Sequence, residues 1–375
     1  MKYEYIDSSA GLQGVVDRLQ GLALLGADTE AAGYHRYHDR ISLIQVSSRE
    51  ENFLIDPLAV PDLAPLGPLF ADPAVETIFH DADFDLRILH RDLGFEVHGL
   101  FDTQIAAAFL GEKSLGLGAI VEQYLGIKLP KAYQRADWAE RPLSEGMMDY
   151  AATDTVHLPE LRDRLKAALE KRGRLHWAEE EFRRREETRW TEEPADQEAF
   201  MRMKGARDLP PRGLAILREL HPWREEVARE RDQATFRVLG NQSLLAMSTS
   251  PPTTLQSLGS VSGVGEGLVR RHGGDILEAI RRGLEVPEDE LPRFPRPRRW
   301  ERDPDLEART QWLKEVRTRR AEELGLDPGF LISRALMEEV ARVMPQTPRE
   351  LAAISEVRNW QVEAIGDDLL RALRG

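Results

Sequence analysis

Residues 24–30 read Leu24-Leu25-Gly26-Ala27-Asp28-Thr29-Glu30, an apolar run that ends in two acids two positions apart. In a strand, side chains at i and i+2 share one face, so Asp28 and Glu30 point the same way. Neighbouring carboxylates repel unless a cation lies between them, and oxygen-only ligation favours Mg²⁺ or Mn²⁺. Alone, the triplet also fits an ordinary polar strand end. A second apolar run, 75–79, leads into His80-Asp81-Ala82-Asp83-Phe84-Asp85. Asp81 and Asp83 are placed to cap the following helix, whereas Asp85 lies one turn further in. A third group stands in a helical segment, where Tyr150 and Asp154 stack at i and i+4.

Strand-like runs occur at 3–6, 22–27, 41–46, 53–55 and 75–79, with helical periodicity at 9–19, 83–93, 103–110 and 144–169. The close spacing of the runs over 22–55 predicts a local antiparallel meander with helices packed on the sheet. Charged residues dominate 170–199, including Glu179-Glu180-Glu181, which reads as helix plus linker with a solvated face. Beyond it the pattern is helical throughout, at 214–231, 241–247, 254–258, 267–272 and 275–284. A Pro/Arg-rich stretch at 292–299 precedes a second helical unit. There Leu351, Ile354 and Val357 repeat the spacing of Leu255, Leu258 and Val261 at an offset of 96, which suggests an internal repeat.

The 375 residues carry no cysteine and a net charge of −14. Thiolate metal sites and disulfides are thereby excluded, so any metal must use oxygen or imidazole ligands. Residues 1–170 hold 15 basic and 28 acidic side chains, a balance of −13, against 36 and 37 in the remainder. An acidic segment beside a near-neutral, Arg-rich one suits a metal-using catalytic unit with a separate substrate-holding unit. No apolar run approaches the roughly 18 residues of a membrane span, so a cytoplasmic protein without membrane contact is expected. No Gly-x-x-x-x-Gly-Lys-Ser/Thr loop occurs, so no nucleotide cofactor is expected.

The order Asp28-x-Glu30, Asp85 after His80, then Tyr150-x-x-x-Asp154 resembles the DEDD exonuclease superfamily in its tyrosine subgroup. The flanking segments Leu43-Ile44-Gln45-Val46, Leu54-Ile55-Asp56-Pro57, Phe101-Asp102-Thr103-Gln104 and Asp137-Trp138-Ala139-Glu140-Arg141-Pro142-Leu143 look like ribonuclease D. Residues 208–284 resemble the helicase and RNase D C-terminal (HRDC) domain, and 301–375 look like a second, more divergent copy. The resemblance implies an α/β RNase H-like exonuclease domain, a mixed sheet flanked by helices, followed by two small all-α helical bundles. Its boundaries are 1–170 for the exonuclease, 171–207 for a charged helix and linker, 208–291 for the first HRDC domain, 292–300 for a linker and 301–375 for the second. It implies a monomeric 3′ to 5′ exoribonuclease that trims single-stranded 3′ ends of RNA such as tRNA precursors. Two divalent cations, Mg²⁺ or Mn²⁺, would be held by Asp28, Glu30, Asp85 and Asp154, with Tyr150 orienting the attacking water.

One departure from that pattern is local: many ribonuclease D chains continue the first motif with Phe-Val-Arg, whereas Ala31-Ala32-Gly33-Tyr34-His35 follows Glu30 here. The substrate strand is then gripped differently. His35 and His38 read as surface residues and His80 as a support or phosphate contact. In the first HRDC domain the turn containing Gly263 and Gly265, with Arg270 and Arg271 beyond it, is suited to a nucleic-acid backbone. The matching turn of the second lacks glycine, and its Trp360 reads either as core or as a base-stacking ring. A DNA 3′ exonuclease shares the same four acids, and a nuclease-inactive RNA-binding scaffold is the alternative of another class.

Overall fold

The computed structural model describes residues 2–192, 198–295 and 303–374. Most of the expected linker at 292–300 therefore lies outside the described residues. Six strands form one mixed sheet: β1 (Glu4–Ile6), β2 (Leu24–Ala31), β3 (Ile41–Ser47), β4 (Asn52–Ile55), β5 (Glu76–Phe79) and β6 (Leu100–Asp102), in the order β1-β4-β3-β2-β5-β6. The strands β2, β3 and β4 make the antiparallel meander; β1 pairs parallel with β4, β5 with β2, and β6 with β5. β6 is not among the strands that periodicity predicts, because all three of its residues are buried and no alternation marks them. Every residue of β3 is buried, as expected for a central strand covered on both faces.

Two helix expectations need correction. The segment read as one helix over 144–169 is two, Glu145–Val156 and Leu158–Lys171. Pro159 marks the break: it sits in the first turn of the second helix, where its missing N–H leaves no bond unmade. Conversely, 267–272 and 275–284 belong to a single helix, Glu266–Glu285. Gly273 lies inside it because a Cβ there would sit 2.6 Å from Leu255 Cδ2, on the neighbouring helix Leu255–Gly259.

The internal repeat is present in a different register. Thr254 caps one helix through Ser257 N and Thr347 caps its counterpart through Glu350 N, and positive φ recurs at Gly263 and Glu356. Both pairs are 93 residues apart, not 96, so Leu351 matches buried Leu258 rather than exposed Leu255. Apolar spacing of three recurs along each segment, so leucine spacing alone places the register one helical turn off.

The two helical bundles relate differently to the sheet. The first, between Pro211 and Glu285, closes its own core around Leu217, Leu244, Leu258, Ile276 and Ile280. The second, from Pro304 to Arg374, shares one core with the helices behind the sheet. The Phe109 ring lies 4.8 Å from that of Phe330 and 4.9 Å from that of Trp360. Among the described residues no helix is long and apolar enough to cross a membrane.

Candidate active site

Strand parity places Gly26, Asp28 and Glu30 on one face of β2. The helix Glu145–Val156 crosses that face. It comes close because Gly26 has no side chain: a Cβ there would sit 3.1 Å from Thr155 O and 3.2 Å from Leu158 Cβ. Two buried hydrogen bonds hold its C-terminal turn to the sheet, Ser47 Oγ donating to Thr155 O at 2.8 Å and Asn52 Nδ2 donating to Ala152 O at 2.7 Å. The result is that Asp28, Glu30 and Asp154 each bring a carboxylate oxygen within 4.8 Å of the others.

Asp85 arrives from the helix Asp83–Leu93, which starts where β5 ends. It stands beside the cluster of three rather than within it, is 6% exposed, and accepts a hydrogen bond from the Thr29 hydroxyl. Neither Asp81 nor Asp83 caps this helix. Asp81 adopts a left-handed φ of 61°, and Asp83 bonds Arg87 and Arg185 instead. The start of the helix is served from a distance by buried Asp102, which accepts from Ala82 N at 2.9 Å and Asp81 N at 3.2 Å as well as from Gln104 N and Ile105 N.

Tyr150 is 8% exposed and packs its ring between Tyr133 and Trp138, at 6.2 and 6.0 Å between centroids. It is a packed helix tyrosine and a site residue at once, because its hydroxyl bonds the Asp154 carboxylate. Burial, followed by the charge of Asp154, pushes its phenol well above the usual range, so the proton stays on at neutral pH. The flanking motifs locate that ring. Arg141 grips buried Asp56 through Nε and Nη2 at 2.6 and 2.7 Å, which fixes the loop that lays Trp138 on Tyr150.

The acids themselves are held at unfavourable proximity. Each of Asp28, Glu30 and Asp154 keeps an edge open to solvent, yet the surrounding protein removes most of their hydration. Burial pushes the Asp154 carboxyl up to about 7, opposed by the Tyr150 hydrogen bond. Asp28 is raised well above the carboxylate range by burial and then by Asp154; Glu30 by burial and then by Asp28, Asp154 and Asp85; and Asp85 by burial and then by Asp28. An all-oxygen donor set with this much uncompensated negative charge fits a divalent cation and little else.

His80 is half-buried and outside this cluster. Its Nδ1 lies 2.9 Å from Thr103 Oγ1, whose proton is directed at Phe79 O, so Nδ1–H is the donor.

A family profile described as 3′-5′ exonuclease matches residues 3–170, and one described as HRDC domain matches twice, over 213–280 and 307–373. The ribonuclease D of Pseudomonas paraeruginosa is 34% identical over 352 residues, 93% of this chain and 92% of that protein. The chain belongs to the ribonuclease D family. The crystal structure of Escherichia coli RNase D, described as an exoribonuclease involved in structured RNA processing, superposes with a TM-score of 0.70 at 29% identity. That alignment covers 100% of this chain and 99% of the other. A protein from Bifidobacterium adolescentis superposes at 0.82 with 26% identity, covering 99% and 97%. The RNase H-like exonuclease fold with two HRDC domains is thus that of a ribonuclease D, and the chain is a metal-dependent 3′ to 5′ exoribonuclease.

Within this ribonuclease D fold, the two HRDC turns differ. In the first, Gly263 takes φ 82°, where a Cβ would sit 2.5 Å from Ser243 Oγ, and Gly265 precedes the helix that carries exposed Arg270 and Arg271. In the second, the matching turn is already filled. Glu180 accepts from Asn359 N at 2.8 Å, Asn359 Nδ2 at 3.1 Å and Trp360 N at 2.9 Å. Glu181 takes Trp360 Nε1 at 2.7 Å and pairs with Arg358 at 3.2 Å. The acidic run at 179–181 is therefore a clamp and not only a solvated face, and Trp360, 3% exposed, is core. The segment after Glu30 also acquires a role, since it docks the first HRDC domain: Ala234 N donates to His35 O and His38 N to Asp232 Oδ1, both at 3.0 Å.

Gly26, Thr29, Ser47 and Asn52 also shape the site and are not among the residues that the sequence singles out. Only their positions beside the motifs hint at it, because the hydrogen bonds made by Thr29, Ser47 and Asn52 each span at least 56 residues of chain.

Proposed function

We propose that Asp28, Glu30, Asp85 and Asp154 form the ligand set of the exoribonuclease, holding two divalent cations, Mg²⁺ or Mn²⁺. The observation that carries this reading is the convergence of three carboxylates from β2 and one helix within 4.8 Å, with Asp85 adjoining. Cations held there would neutralise charge on the scissile phosphate and lower the pKa of a bound water. The protein's own part is orientation. Tyr150 keeps its proton and, bonded to Asp154, is placed to hold the attacking water by hydrogen bonding rather than to deprotonate it. Attack of water on phosphorus and departure of the 3′ oxygen of the preceding nucleotide release a nucleoside 5′-monophosphate.

We take residues 1–170 as the catalytic domain, 208–291 as the domain that contacts RNA through Gly263, Gly265, Arg270 and Arg271, and 301–375 as a structural domain. The substrate is the single-stranded 3′ end of a structured RNA, such as a tRNA precursor, acted on by a monomer in the cytoplasm. Asp28→Ala and Asp154→Ala each lower Mg²⁺-dependent hydrolysis by at least about 10³-fold, on the scale of losing a main electrostatic element of a site. RNA binding, measured by fluorescence anisotropy, stays within about threefold, since backbone contacts lie elsewhere. Undiminished turnover in both variants would remove these acids from the mechanism, and faster hydrolysis of DNA than of matched RNA would reassign the substrate.

A further inference from the structure

The loop after Glu30 carries Tyr34 away from the sheet and onto the first HRDC domain. There the Tyr34 and Phe236 rings lie 5.3 Å apart, at 47% and 49% exposure. Two guanidinium groups flank the pair: Arg135 is 5.7 Å from the Tyr34 ring, and Arg237 is 5.9 Å from both rings. Both arginines are exposed, and neither has a carboxylate partner among the described residues. In a chain of net charge −14 this is a local reversal of sign.

A contact that served only to dock two domains would bury its rings. These remain open, beside a cleft of about 360 Å³ lined by His35, Arg36, Asp137, Arg231, Asp232, Gln233 and Arg237, in which Asp137 is taken up by Arg36. Exposed aromatic faces edged by unpaired cations are the composition of a single-strand platform: bases stack on the rings while the phosphates meet the guanidinium groups. The cleft continues onto the HRDC helix, because Arg231 Nη2 lies 2.5 Å from His272 Nε2 on the helix that carries Arg270 and Arg271. It also lies close to the active site. Tyr34 is four positions from Glu30, a reach of at most about 14 Å. On its other side the loop is tied by Arg36 to Asp137 at 3.0 Å, next to Trp138, whose ring packs on Tyr150.

We propose that Tyr34 and Phe236, flanked by Arg135 and Arg237, form a platform on which the single-stranded RNA stacks a few nucleotides upstream of the scissile bond. The proposal rests on the exoribonuclease reading and names where that enzyme holds its substrate. It also accounts for the replaced segment after Glu30: the grip on the strand is shared between this loop and the HRDC domain.

The test compares Tyr34→Ala and Phe236→Ala with Tyr34→Phe and Phe236→Trp, on an RNA of about ten nucleotides and on a dinucleotide too short to reach the rings. Each alanine variant is expected to raise KM for the longer RNA about tenfold, with kcat within about twofold, on the scale of one lost stacking contact. The aromatic replacements and all dinucleotide rates stay near wild type. Unchanged KM in both alanine variants overturns the platform, and so does an equal loss on the dinucleotide, which would make the rings mere supports of the active site. Photo-cross-linking of 4-thiouridine RNA reads the same surface without turnover. Adducts on peptides containing Tyr34 or Phe236 support the platform, and adducts confined to other peptides overturn it even if the unmutated chain hydrolyses no RNA.

Discussion

Asp154 differs from an ordinary surface carboxylate in one respect that has a measurable consequence: its folded pKa is about 7 against a usual value of 3.8. Asp28, Glu30 and Asp85 are shifted in the same direction, by burial first and by one another second. A carboxyl raised in the folded state binds its proton more tightly there than in the unfolded chain. Its contribution to stability is therefore present below about pH 4 and is lost as pH rises towards about 7, the reverse of a salt-bridged acid. Divalent cations bind only the ionised form, so they release protons and stabilise more at higher pH. In EDTA the melting temperature should fall between about pH 5 and pH 7.5 relative to a chain with Asp154→Asn, and Mg²⁺ should raise it more at the upper pH. A Mg²⁺ effect equal at both pH values would mean that these acids are not the ligands.

At the scale of elements, the site depends on how closely the helix Glu145–Val156 approaches β2, and Gly26 sets that distance. Gly26→Val would meet Ser47 Oγ first and then Thr155 O and Leu158 Cβ, displacing the hydroxyl that holds Thr155 O, pushing the helix outward and carrying Asp154 away from Asp28. The expected cost is about 1–3 kcal/mol of stability from overpacking. A loss of about 10²-fold in kcat is expected from misplacing a group by about 1 Å. Urea denaturation and steady-state kinetics check the two parts, and a variant with normal kcat would show that the helix position is not set by Gly26. The pairing of Asp28 with Glu30 and of Tyr150 with Asp154 was legible in the sequence because i, i+2 and i, i+4 are local rules. Gly26, Ser47 and Asn52 were not, because their partners are set by the path of the whole chain, and the break at Pro159 was hidden by helical periodicity on either side of it.

For the whole molecule, the two HRDC copies have been put to different uses by what meets their turns. Glu180 supplies an internal anion to the second turn, and Trp360 closes against Phe109 and Trp177, so that bundle is part of the catalytic core. Positive φ at Glu356, where the first copy has Gly263, is the residue-level trace of this divergence. Sequence reading recovered both copies but not their difference, since the clamp joins residues about 180 positions apart. Glu180→Ala leaves two backbone N–H groups without their acceptor and should cost about 1–3 kcal/mol. The check is an earlier urea midpoint by tryptophan fluorescence, with little change in RNA affinity. An unchanged midpoint would show that the clamp contributes nothing to stability, and a large gain in RNA binding would show that Glu180 occupies a nucleic-acid site.

Metal-dependent removal of nucleotides from a 3′ end at one acidic site can be read from the products. The most direct measurement follows a 5′-labelled single-stranded RNA, with its 3′ end free or blocked, in Mg²⁺, Mn²⁺ or EDTA. With either metal the free 3′ end should give a ladder of products shortening one nucleotide at a time, and EDTA or a blocked end should give none. Cleavage that persists in EDTA, or that proceeds equally on the blocked RNA, would contradict this.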